Sequence, residues 1–160
     1  MVTGPRIAAG AVVLSAMLAA PATAQTQTAP PPRGEVARLV WGTLTALGHA
    51  NRTGNYTVLR DLAAPGFRAA NDAARLAAVF ARNRDLPLGR AVLYAPQLSA
   101  APAIAEDGTL RLQGRVPMRP EAILFDMLFV REGAEWRLQG LSVGRSPAPA
   151  PQDEADGARE

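Results

Sequence analysis

The stretch from Glu121 to Val143 limits the possible folds more than any other. It reads Glu121-Ala-Ile-Leu-Phe-Asp-Met-Leu-Phe-Val130, then Arg-Glu-Gly-Ala-Glu, then Trp136-Arg-Leu-Gln-Gly-Leu-Ser-Val143. Two extended apolar runs around a polar five-residue turn containing Gly133 predict a β-hairpin. Side chains alternate across a strand, so Ile123, Phe125, Met127 and Phe129 share one face. Leu124, Leu128 and Val130 share the other, with Asp126 as the single charge among them. A strand apolar on both faces needs cover on both, or cover on one side and a pocket or partner on the other.

Residues 1–24 have the layout of a secretory signal peptide. Arg6 is followed by a short apolar run from Ile7 to Ala20 and by the small-x-small site Ala22-Thr23-Ala24, which predicts cleavage before Gln25. The run falls short of the ~20 apolar residues of a membrane-spanning helix. The chain contains 0 Cys, which excludes a disulfide-stapled scaffold and a cysteine-anchored lipoprotein. About 110 residues from Glu35 to Val143 suffice for one core held by burial alone. All 17 basic residues are Arg, and this Ala- and Arg-rich composition without Lys reads as bacterial. Export therefore predicts a periplasmic or secreted protein. Asn51-Arg-Thr and Asn55-Tyr-Thr match the glycosylation pattern by accident on this reading. The basic surplus could attract an anionic ligand or surface, but genomic bias is the favoured reading of it. No Arg cluster interleaved with aromatics predicts nucleic-acid binding, and membrane contact is not expected beyond the signal peptide.

Residues 25–34, with Pro30-Pro31-Pro32, predict a stiff linker. One domain spans 35–144, and the Pro-rich acidic tail 145–160 lacks the large apolar residues that would repay ordering. Val36, Leu39, Val40, Leu44 and Leu47 recur at helical spacing and predict a first helix from about Glu35 to Asn51, ended by Gly54. A second helix, Tyr56 to about Ala63, starts at an Asn55 cap, buries Val58, Leu59 and Leu62, and stops at Pro65-Gly66. Phe67 follows as an isolated anchor. A third helix, capped by Asn71 or Asp72, runs to about Arg82 with Leu76, Val79 and Phe80 inward. The short apolar runs Ala91–Tyr94 and Gln97–Ile104 follow, the latter interrupted by prolines that suit an edge strand. Leu110, Leu112, Gly114 and Val116 alternate with Arg111, Gln113 and Arg115, which predicts a half-exposed strand.

Helices followed by a strand meander define an α+β class, here three N-terminal helices on a curved antiparallel sheet of about four strands. Three sequence features add a resemblance. They are the long first helix leading into Gly54-Asn55-Tyr56, Leu59, Leu62 and Ala64-Pro65-Gly66-Phe67; the helices-then-strands order; and the closing Gly133-Ala-Glu-Trp136-Arg-Leu-Gln-Gly-Leu-Ser-Val143. Together they resemble the nuclear-transport-factor-2-like (cystatin-like) superfamily over most of 35–143. That resemblance implies a cone-shaped cavity between helices and sheet. It also implies either a ligand-binding domain or an isomerase- or dehydratase-type enzyme.

Asp126 is the candidate acid. Pairing Val130 with Trp136 sets Asp126 opposite Gly140, on a face with Leu124, Leu128 and Leu138. Pairing Val116 with Ala122 brings Gly114 near as well. The favoured reading is an Asp126 that pairs with an Arg or faces water; the alternative is a pocket acid among apolar groups, with a raised pKa and a proton-carrier role. A one-residue shift of register instead brings Arg115 or Arg137 beside it as an ion-pair partner. Tyr56 is the remaining pocket candidate, as a hydroxyl that points inward. His49 is the single histidine, at a helix end, and no metal set or cofactor motif is present in the sequence. The expected function is a non-enzymatic exported domain that binds a small apolar ligand or a partner protein, or that forms a homodimer through the open sheet face. The alternative is a small-molecule isomerase or dehydratase using Asp126.

Overall fold

Helix α1 (Arg33–Thr53) carries the apolar stripe that organises the helical layer. Val36, Leu39, Val40, Leu44 and Leu47 are at most 5% exposed, as their spacing predicts. The helix begins two residues earlier than expected, because the Pro32 carbonyl accepts the Val36 amide at 3.0 Å. It ends at Gly54, whose φ of 71° is open to glycine at little cost, with the Gly54 amide closing on the Ala50 carbonyl at 2.8 Å. The computed structural model describes residues 29–147, so the expected signal peptide and the acidic end beyond Pro147 lie outside the described residues.

Three short helices follow, α2 (Thr57–Asp61), α3 (Pro65–Ala70) and α4 (Ala73–Val79). Among the described residues there are thus four α-helices where three were expected. Pro65 opens a helix instead of ending one, since the first turn has no use for its missing amide hydrogen. Phe67 is therefore a helical core residue, 6% exposed. Asp72 caps α4 by accepting the Arg75 amide at 2.7 Å, and Asn55 accepts the Thr57 amide ahead of α2. Such short helices turn only one row of side chains inward. Leu59, Leu76 and Phe80 are buried, whereas Val58, Leu62 and Val79, expected inside, are 56–60% exposed. Two 3-10 segments, Ala81–Asn83 and Leu88–Leu93, complete the layer, so the apolar run at Ala91 is helical and not extended.

The sheet is antiparallel and has five strands: β1 (Gln97–Leu98), β2 (Ala103–Ile104), β3 (Leu110–Val116), β4 (Glu121–Glu132) and β5 (Glu135–Pro147). The order is β1-β3-β4-β5, with β2 beside β1 on the outer edge of β3. Pro96 and Pro102 flank these edge pieces, where no ladder amide is lost. β5 continues through Pro147, so residues 145–147 belong to the sheet and not to the tail. Likewise, the linker ends at Pro32 and not at Gly34.

Two register differences decide which side chains meet. The hairpin turn is two residues long, Gly133-Ala134, because Arg131 and Glu132 still pair with Trp136 and Glu135. The Arg131 guanidinium lies 5.3 Å over the Trp136 ring, a contact that favours this longer pairing. The ladder then slips between Leu128, paired with Gly140, and Phe129, paired with Leu138, which leaves Gln139 as the extra residue of a bulge. At the same place the α2–α3 junction joins the sheet, with the Ala64 amide donating to the Leu138 carbonyl at 2.8 Å. On β3, Val116 pairs with Ile123 and not with Ala122.

The helices cover the face carrying Ile123, Phe125, Met127 and Phe129, all at most 2% exposed. Leu110, Leu112 and Val116 join them from β3. The molecule is an α+β protein with a helical layer on one face of an open antiparallel sheet.

Candidate functional site

The bulge separates the sequence-predicted site residues onto two faces. Leu124, Asp126, Leu128 and Gly140 lie on the sheet face away from the helices, whereas Leu138 is 5% exposed in the core against Phe129. Leu128 packs over Gly140, where an added Cβ would come within 3.2 Å of its Cδ1. Asp126 pairs with Gln113 and Ser142 across the ladders, not with Gly140.

Asp126 is not a pocket acid. Arg111, a neighbour absent from the expected registers, grips it with both guanidinium edges, Nε donating to Oδ1 at 2.9 Å and Nη2 to Oδ2. These hydrogen bonds hold its carboxyl below the usual carboxylate range, with burial acting weakly the other way. The ion-paired reading of Asp126 therefore holds, with Arg111 in place of Arg115 or Arg137, and the raised pKa of the pocket-acid alternative does not. A carboxylate fixed in this pair is a poor proton carrier.

Tyr56 is fully buried beneath the helices, stacked on Phe80 with ring centroids 6.4 Å apart. Its hydroxyl donates to Asn51 Oδ1 at 2.8 Å, and Asn51 Nδ2 donates to the Asn83 carbonyl at 2.9 Å. Asn83 Nδ2 continues the chain to the Val143 carbonyl on β5. The network joins α1, α2, the first 3-10 segment and the last strand. It is a structural tie, and none of Tyr56, Asn51 and Asn83 lines the cleft described next.

The concave site lies elsewhere, between α1, α2 and the turn end of the β4–β5 hairpin. A cleft of about 280 Å³ opens there. Its floor is Leu39, Leu59, Phe129, Trp136 and Leu138, each no more than 8% exposed. Thr43 lines it too, at 8% exposure. Among the described residues its hydroxyl has no hydrogen-bond partner, and it is not sealed from solvent. Arg38, Glu135 and Arg137 form the rim. Arg38 is bound by Glu35 through Nε at 2.8 Å and Nη2 at 2.6 Å, and Arg137 by Glu135 at 3.0 Å. The Arg38 hydrogen bonds hold the Glu35 carboxyl below its usual range. Arg38, Gly42, Ala46 and Leu62 also line a shallower groove of about 810 Å³ on the outer side of α1, which runs toward His49 and Val58.

Of the sequence-predicted pocket residues, Leu138 lines this cleft and Tyr56, Leu124, Asp126, Leu128 and Gly140 do not; the rest of the lining was missed because its walls come from segments some 90 residues apart. One signal was present: Thr43 falls on the stripe of α1, three residues after Val40 and four after Leu39, as a hydroxyl among aliphatic groups. Among the described residues, no three His, Cys, Asp or Glu side chains form a metal-ligand group, and no helix is long and apolar enough to cross a membrane. Comparison of the chain with protein families, with curated proteins and with solved structures finds no match in any of the three.

Proposed function

We propose that this chain is a non-enzymatic binding domain, acting after export, that takes a small apolar ligand in the cleft between α1, α2 and the hairpin. The carrying observation is the cleft itself: an apolar floor, a rim of mutually paired charges and no ionisable side chain at its base. Its ~280 Å³ falls just below the range for small-molecule sites, about 300–1,000 Å³, and suits a ligand smaller than most. A site between helices and sheet, with the helices-then-strands order, supports placing the chain in the nuclear-transport-factor-2-like fold as part of this reading. The test is ligand retention by the full chain in native mass spectrometry, beside Thr43→Phe, whose ring would occupy the cleft. Loss of the retained mass in the variant is the expected outcome. Undiminished retention would place the ligand elsewhere.

Self-association is a second reading, and the exposure of Val58 (60%) and Leu62 (56%) beside the outer groove favours it. For a homodimer, the helical layer is a better-supported surface than the open sheet face, where Leu124 is the large apolar side chain most exposed, at 40%. In sedimentation equilibrium, Leu62→Glu should shift a dimer to monomer, whereas Leu124→Glu should not.

A further inference from the structure

We infer that the ligand is uncharged and aliphatic and carries one hydroxyl or carbonyl oxygen, which the Thr43 hydroxyl recognises. The inference rests on the cleft reading above. Around the mouth two guanidinium groups already have a carboxylate, Arg38 with Glu35 and Arg137 with Glu135, while Arg131 lies over the Trp136 ring and within the electrostatic reach of Glu35. An ionic head group gains little here, because these charges are already paired and partly exposed to screening solvent. A charge passing further in leaves water for a floor of Leu39, Leu59, Phe129 and Leu138, which offers it nothing in return. A neutral molecule avoids that penalty.

Thr43 supplies the polar selectivity. Its hydroxyl can donate one hydrogen bond and accept others. No buried side-chain oxygen among the described residues lacks a partner, so this hydroxyl stands open to water at the cleft, where a ligand oxygen would replace that water. A ligand oxygen at that point satisfies a nearly buried polar group, while a pure hydrocarbon leaves it unsatisfied. The cleft, about 280 Å³ and open to solvent, suits a small ligand, and an eight-carbon alcohol serves as the probe.

The experiment titrates the full chain with 1-octanol, octanoate and octylammonium, following the Trp136 indole N–H by NMR. The expected result is saturable shifts with 1-octanol and at least tenfold weaker binding of both ions. Thr43→Val, which removes the hydroxyl at constant shape, should weaken 1-octanol about 2- to 10-fold. Thr43→Ser, which keeps it, should stay within about twofold of the parent. Octanoate or octylammonium binding as tightly as 1-octanol overturns the inference and leaves the cleft reading standing. Unchanged affinity in Thr43→Val overturns the role of Thr43. No shift of Trp136 with any of the three probes overturns both the inference and the cleft reading. The head-group comparison uses the unmodified chain and so does not depend on a variant that folds.

Discussion

Asn51 shows how one polar side chain holds separate segments together. It accepts from Tyr56 and donates to Asn83, at 8% exposure. Asn51→Ala strands the Tyr56 hydroxyl and the Asn83 carbonyl, each an unsatisfied group costing about 1–3 kcal/mol when buried. The expected loss in urea-unfolding stability is about 2–4 kcal/mol. Tyr56→Phe leaves the Asn51 oxygen alone and should cost less, about 1–2 kcal/mol. A double-mutant cycle that gave purely additive losses would show that the two residues act apart. Asp126 makes the complementary point. Its apolar neighbours were legible in the sequence, but its partner was not, because a strand residue meets its diagonal neighbours as well as the one directly opposite. Gln113 stands opposite Asp126, and Arg111 reaches it from the next position on the same face.

At the scale of the element, the sheet edge depends on a close approach. Gly114 on β3 lies under β1, and a Cβ there would run into the Gln97 carbonyl and come within 2.9 Å of Leu98 Cα. Both obstacles are backbone, so β1 has to move. Gly114→Ala should detach β1 at a cost of about 1–3 kcal/mol, in the range of overpacking. Hydrogen exchange would report it directly, because the Ser99 amide donates to the Gln113 carbonyl at 2.8 Å and should lose protection while the β4–β5 ladder keeps it. Retained protection at Ser99 would mean that β3 absorbs the added methyl. The β4–β5 bulge is an element of the same kind. A single extra residue at Gln139 sends Leu138 into the core while Gly140 stays on the open face.

For the molecule as a whole, pH acts through paired carboxylates. Arg38 lowers the pKa of Glu35, Arg145 that of Asp85 and Arg111 that of Asp126, while the Thr109 amide lowers that of Asp107. A group whose pKa falls on folding binds fewer protons when folded. Its stabilisation is present above the unfolded value, ~3.9–4.3, and is lost as pH drops through the folded one. Stability should therefore be flat from about pH 5 to 7 and decline below about pH 4. Asp126→Asn should remove part of that decline and cost only about 0.5 kcal/mol at neutral pH, because Arg111 is largely exposed. A stability curve that rises on acidification would contradict this assignment. Arg145 also acts at this scale, reaching Asp85 beyond α4 and Glu121 at the start of β4 from one position on β5.

By itself the sequence determined the class, the stripe of α1, the Gly54 stop, the alternation of β3 and the core-facing set Ile123, Phe125, Met127 and Phe129. Each follows from periodicity or from a single residue's backbone preference, and these are local. Only the tertiary structure decided the rest. The fate of Val58, Leu62 and Val79 depended on how many turns each short helix completes against the core. The position of Leu138 depended on a bulge that the α2–α3 junction meets from outside the strand. The cleft needed Thr43 and Trp136, some 90 residues apart, to face the same space. A pattern of side chains records which face of an element is apolar, but the distance between two elements is fixed only when their packing is complete.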